Sequence, residues 1–214
     1  MSSIIAGTTL GGGLLHDSDT TGNLQIKTGG SATTAATFHG NAATVFNGSV
    51  YIGNGSTPIN PLTLGTANTS VSGNTIMHTG IPTWAKRVTV MYSGLSTNGS
   101  TPIILQAGSG TYKTTGYLGA AAVIEGSTGY TVGFGIGNSN VSNTDLQHGT
   151  IVLNLLNPNT NTWVATGTAA RSDGIEVGLT SGAVSLDGAL DRVRFTTTGG
   201  SDLFDAGVTN IMWE

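Results

Sequence analysis

The chain has 214 residues, no cysteine and a formal net charge of −4, and only 8% of its residues are charged. About 25% would be ordinary for a soluble domain, so the surface must be covered by Thr, Ser, Asn and Gly. A hydrophobic fraction of 37% with so small a net charge excludes wholesale disorder, the missing cysteine excludes disulfides and thiolate metal sites, and 7 basic residues in an acidic chain leave no cationic face for nucleic acid.

Thr favours strands because its branched Cβ suits a pleated surface. Asn and Gly favour tight turns with positive φ. Asp and Glu are absent between Asp19 and Glu125, so surface helices lack the charge and capping residues they need. The expectation is an all-β chain. Its first residues, MSSIIAGTTLGGG, have no basic n-region, and no stretch approaches about 20 apolar residues, so neither a signal peptide nor membrane insertion is expected.

In chain order, the apolar residues Ile4, Ile5, Leu10, Leu14 and Leu15 read as an attachment arm. His16-Asp17-Ser18-Asp19-Thr20-Thr21-Gly22 has a faint calcium-loop spacing, but the twelfth position is Thr28 where a bidentate Glu is required. It reads instead as an Asx turn before the first strand. Short apolar pairs follow: Leu24 and Ile26, Val45-Phe46, Val50 and Ile52, Leu62 and Leu64, then Val71. Each is a strand of about four residues closed by a turn signal, and Asn47-Gly48 is a hairpin candidate. Residues 1–79 hold only 17 Leu, Ile, Val and Phe, too few to enclose a core. Two readings fit: a short β-shaft in which three copies wrap around one axis and share a core, or a flexible low-complexity arm.

From Gly80 the strands lengthen. Val88 and Val90 share one face of KRVTVM, and Ile103–Leu105 is a short apolar run. Tyr130, Val132, Phe134 and Ile136 alternate with Thr131, Gly133 and Gly135. Ile151, Leu153 and Leu155 alternate likewise, Trp163 and Val164 follow an Asn-Pro-Asn-Thr-Asn turn, Val193 and Phe195 alternate with Arg192 and Arg194, and NIMWE ends the chain. Seven or eight strands in residues 80–214 describe a β-sandwich or jelly roll.

Chemistry-bearing motifs are few. His16, His39, His78 and His148 have no metal-binding spacing, and no G-x-S-x-G elbow is present. No enzyme activity and no cofactor or metal are expected. The glycines at 133, 135 and 137 lead into no helix, so they make no phosphate loop; they allow close packing in a strand. The Asn-Gly-Ser triplets at Asn47, Asn54 and Asn98 are turns. Arg192 and Arg194, on one face of a strand, either bind anionic glycans or pair with Asp187, Asp191 or Asp202; Lys86 and Arg87 carry the same two readings. Tyr112 and Tyr117 lie in a Gly/Thr-rich stretch that reads as a loop, which makes them receptor-contact candidates, with packing in the sandwich or at a subunit seam as the alternative. Trp84 is expected to pack the first region against the second.

GIPTWAKRVTVMYSGLSTNGSTPIILQAG, from Gly80, resembles the opening of the globular C-terminal domain of bacteriophage tail-fibre proteins. So do Thr115-Gly116-Tyr117, HGTIVLNLLNPNTNTWVATG from His148 and LDGALDRVRFTTTGGSDLFDAGVTNIMWE to the end, while TTGNLQIKTGGSATTA from Thr20 resembles a short β-motif found ahead of such domains. The resemblance implies a homotrimeric virion protein, made in the bacterial cytoplasm, often with a receptor-binding tip. Its implied partners are other copies of itself, other tail or capsid proteins and a host-surface glycan or protein. A trimeric capsid decoration (cement) protein or a tail-needle tip is built from the same modules. A depolymerase tailspike would need paired carboxylates about 5–10 Å apart, for which the acid-free stretch leaves no room.

Overall fold

The computed structural model describes residues 15–18, 24–28, 33–38, 44–46, 51–52, 57–58, 62–69, 72–123, 126–137, 142–172 and 176–214. Every regular element among them is a β-strand, as the Thr/Gly-rich composition predicts. The chain forms two compact units, Met1–Asn60 and Pro61–Glu214.

In the first unit, β1 (Leu15–Ser18), β2 (Leu24–Thr28), β3 (Thr33–Phe38) and β4 (Thr44–Phe46) form an antiparallel sheet in that order, and β5 (Tyr51–Ile52) pairs with β6 (Thr57–Pro58). One expectation is corrected. His16, Asp17 and Ser18 are strand residues, with Asp17 opposite Gln25, where a turn is expected; the rest of that segment, Asp19 to Gly22, lies outside the described residues. β4 pairs with β3 and β5 with β6, and the hairpin candidate Asn47-Gly48 between them lies outside the described residues. Of the expected arm, Leu15 opens β1; Ile4, Ile5, Leu10 and Leu14, like Val71, lie outside the described residues.

The second unit holds β7 (Thr63–Leu64), β8 (Ile76–Thr79), β9 (Arg87–Thr97), β10 (Ile103–Ser109), β11 (Thr111–Tyr112), β12 (Leu118–Val123), β13 (Gly126–Tyr130), β14 (Phe134–Gly135), β15 (Gln147–Asn157), β16 (Thr162–Arg171), β17 (Glu176–Ser185), β18 (Arg192–Thr197) and β19 (Phe204–Trp213). One antiparallel sheet has eight strands in the order β13-β12-β17-β16-β15-β9-β19-β7. The other has the order β11-β10-β18-β8, with β14 on the same edge of β10 as β11. The β15-β16-β17 meander departs from the paired Greek keys of a jelly roll. The domain boundary also moves. Pairing of β7 with β19 and of β8 with β18 builds residues before Gly80 into the sandwich, and Ile76 is a fully buried core residue.

The two sheets close over one apolar cluster. Val88 and Val90 of β9, Ile151 and Leu153 of β15, Trp163 of β16, Leu105 of β10 and Val193 and Phe195 of β18 are all buried, on the faces that period-2 alternation assigns them. Tyr92 on the large sheet meets Phe195 on the small one edge-to-face, with ring centroids 5.5 Å apart. Trp84 and Trp213 pack against this same cluster.

Residues 130–136 do not form the single strand their alternation suggests. β13 ends at Tyr130 and β14 begins at Phe134. The glycines explain the break. A Cβ on Gly135 would overlap the Tyr130 ring, and one on Gly133 would come within 2.8 Å of the Ile104 side chain. The chain therefore folds back on itself here, which only glycine permits. Gly135→Ala should destabilise the unit by about 1–3 kcal/mol, measurable as a lowered denaturation midpoint.

Tyr117 has a structural task, which corrects its expected contact role. It is fully buried, edge-to-face with Phe134 at 4.9 Å. β10 pairs with β14 through Ile104 and Leu105 and with β11 through Gly108 and Ser109, which leaves a gap on that edge. The Tyr117 hydroxyl fills it, accepting from the Ala107 N–H at 2.8 Å and donating to the Lys113 carbonyl at 3.1 Å. Tyr117→Phe should cost about 1–3 kcal/mol, because it strands a buried N–H, and chemical denaturation reads that loss. Burial pushes the hydroxyls of Tyr117 and Tyr130 up to about 12 from 10.0. The fold favours their neutral forms, so this stability is whole below pH 10 and is lost as pH rises through about 12. Absorbance of the tyrosinates should rise together with loss of the fold in that window.

Candidate functional site

The outer face of the small sheet carries the clearest concentration of chemistry. Val193 and Phe195 point into the core, so Arg192 and Arg194 must point outward. Register sets their neighbours: Gly108 and Thr79 flank Arg192, and Gln106 and Met77 flank Arg194. Tyr112, opposite Gly108 on β11, completes the group.

The two arginines are held differently. Arg192 grips Asp191 with a fork, Nε to Oδ1 at 2.7 Å and Nη2 to Oδ2 at 3.1 Å. The same carboxylate accepts the Gly110 N–H at 3.1 Å, in a turn where Gly110 has φ +67°. Arg192 hydrogen bonding is the main cause that holds the Asp191 carboxyl below its ordinary 3.8. Arg194 instead donates Nε to the Gln106 Oε1 at 2.8 Å, while the Gln106 Nε2 donates to the Val132 carbonyl at 2.7 Å. Both guanidinium groups lie over the Tyr112 ring, Arg194 at 4.3 Å and Arg192 at 5.8 Å from its centroid.

Of the carboxylates expected to pair with these arginines, Asp191 takes Arg192, Asp187 takes Lys113 at 3.0 Å and Asp202 accepts the Thr101 N–H at 2.9 Å. Among the described residues no carboxylate pairs with Arg194. Arg87 pairs with Glu214. Tyr112 therefore sits among the charged groups of this face, whereas Tyr117 lies inside. Gln106 escaped the sequence reading; its signal is a polar residue within the apolar run Ile103–Ala107.

His148 presents a second arrangement. Its Nδ1 lies 3.1 Å from the Ser93 Oγ and its Nε2 lies 3.1 Å from the Ser172 Oγ. The Gly94 N–H donates to Nδ1 at 3.1 Å, which makes that nitrogen the acceptor and places the proton on Nε2. The lone pair a base would use towards Ser93 is thus already engaged, and among the described residues no carboxylate bonds the ring as nucleophilic catalysis requires. His78 is buried against the Thr209 hydroxyl at 2.8 Å, with its pKa lowered by burial. Among the described residues no three His, Asp or Glu side chains gather as metal ligands would.

The outer face of the large sheet is the opposite in character. Ala120, Ser181, Thr166, Val152, Thr89 and Met212 stand side by side across six strands. The next row is Ala122, Leu179, Thr168, Thr150, Met91 and Asn210. Neither row has a charge, and at about 4.8 Å per strand the band is about 24 Å wide. Leu179, within the band, is 63% exposed, and Leu118 and Val177 beside it are 78% and 60% exposed. The first charge met along it is Arg87, in the row of Asn154.

No protein-family model matches the chain, and no curated protein matches it.

Replacing Asp191 by Asn should lower stability by no more than about 1 kcal/mol, since the pair is partly exposed. Its carboxyl is depressed in the fold, so its contribution is present above pH 3.8 and lost as pH falls through the lowered value. Asp191→Asn should therefore flatten the acid limb of a stability-against-pH curve.

Proposed function

We propose that the chain is a non-enzymatic structural protein of a bacteriophage particle that acts as a homotrimer, as a short tail fibre whose sandwich displays a receptor-binding surface. The resemblance of the blocks from Gly80 to Glu214 supports the virion assignment. The uncharged band on the eight-stranded sheet carries the self-association.

Three large aliphatic side chains more than half exposed in and around a band without charge form a surface that water covers at a cost of about 25 cal/mol per Å² of apolar area. A partner that covers it must bring few charges of its own, because an unpaired charge buried there would be strongly unfavourable. Two further copies that turn the same face towards one threefold axis, so that one half of each band packs on the other half of its neighbour's, meet that requirement, and an 8% charged chain offers it repeatedly. Cyclic symmetry then closes the assembly. In this reading the small sheet faces outward and its Tyr112–Arg194 group is available to a host-surface ligand.

Native mass spectrometry should give three times 21.5 kDa. A monodisperse monomer would sink the trimer. Leu179→Lys combined with Val152→Lys should shift the mass to one copy while circular dichroism keeps its β signature. Purified protein should bind susceptible cells and block infection. The capsid-decoration reading uses the same trimer, and counting copies per particle separates the two: tens or fewer for a fibre, hundreds for a cement protein, as order-of-magnitude expectations from closed symmetry.

A further inference from the structure

We infer that Arg194 is a preorganised receptor for a carboxylate, and that its ligand is an acidic sugar, a hexuronate-type residue of a surface glycan. The inference names the ligand class for the receptor-binding surface proposed above and rests on that reading for its biological setting only.

The argument begins with how a guanidinium is held. Arg194 is anchored through Nε alone, by Gln106 Oε1 at 2.8 Å. Gln106 is 4% exposed and is itself fixed by the Val132 carbonyl at 2.7 Å, so the anchor is rigid. Tyr112 supports the guanidinium plane from below at 4.3 Å. Among the described residues neither Nη of Arg194 makes a hydrogen bond. A guanidinium fixed at Nε and on one face keeps its two Nη groups as a fork, the geometry that receives both oxygens of a carboxylate. The side-chain entropy that usually weakens an exposed arginine pair has already been lost in the free protein.

The surroundings make the site selective for an anion. Two guanidinium groups share one aromatic ring, and Asp191 neutralises only the nearer neighbour, Arg192. Lys113 at the rim is answered by Asp187. The remaining positive charge resides on Arg194. The surface around it suits a sugar rather than a bare ion. Met77, opposite Arg194 on β8, is 55% exposed and offers an apolar platform for the C–H face of a pyranose. Exposed Thr79, opposite Arg192, offers a hydroxyl at the next position on the same face. Carboxylate, apolar face and hydroxyl together describe a uronic acid.

The test is titration of the full chain with glucuronate, with glucose as the uncharged counterpart and acetate as the carboxylate alone, followed by NMR of the Arg194 Nε–H. Glucuronate should shift that signal in a saturable way, with dissociation in the millimolar range expected of one monosaccharide, about 1 mM. Glucose should leave it unmoved, and acetate should bind about tenfold more weakly than glucuronate, since it lacks the contacts to Met77 and Thr79. Arg194→Lys keeps the charge but loses the fork, and should weaken glucuronate by about tenfold or more. Equal response to glucose and glucuronate, or an unchanged affinity in Arg194→Lys, overturns the inference. If that variant fails to fold, the three ligands on the wild-type chain decide alone. Dissociation of the assembly in Arg194→Lys without any ligand would also overturn it, by assigning the fork to a carboxylate of another protein subunit. A chain that binds glucuronate as a monomer refutes the trimer and leaves this site standing; a trimer that ignores glucuronate does the reverse.

Discussion

The edge-to-face contact between Tyr92 and Phe195 is the point at which the two sheets of the sandwich are tied together. Phe195 lies on the small sheet and Tyr92 on the large one, and Val88, Val90, Leu105, Ile151 and Val193 close around them without solvent contact. Once Phe195 and Val193 are committed to the interior, the pleat gives Arg192 and Arg194 no choice of side. A one-residue slip of β18 would bury two guanidinium groups and expose Phe195. Core packing and the position of the charged cluster are therefore one constraint seen from two faces.

Scarcity of charge shapes where the few charges sit. Arg87 with Glu214, Lys113 with Asp187, Arg171 with Asp145 and Glu176, and Arg192 with Asp191 all lie at strand ends or sheet margins. The centre of the large outer face is left to Ala, Ser, Thr and Met, with single Val, Leu and Asn residues at Val152, Leu179 and Asn210. Such small, β-branched or flexible side chains keep a pleated surface ordered without long charged groups.

The alternation of Val88 with Val90, of Ile151 with Leu153 and of Val193 with Phe195 was legible because a strand buried on one face writes its period into the sequence. The Tyr130–Ile136 run carries the same period yet folds as two pieces, because the alternation cannot tell a glycine that spaces a strand from one that admits a ring. Tyr117 and Tyr112 look alike in a Gly/Thr-rich stretch. Only the gap on the edge of β10, a product of three-dimensional pairing, sends one inward and leaves the other under two arginines. Gln106 illustrates the limit from the other side, since its partners Val132 and Arg194 are 26 and 88 residues away.

The absence of charge across the large sheet has a kinetic consequence. A surface with no net field cannot steer an approaching molecule from beyond a Debye length, about 8 Å at physiological ionic strength. Whatever settles on the band is recruited by collision and orientation alone, at about 10⁵–10⁶ M⁻¹s⁻¹. Such encounters depend little on ionic strength and are governed by local concentration, so under the self-association proposed above copies released close together in time and space would find one another far sooner than copies diluted through a cell.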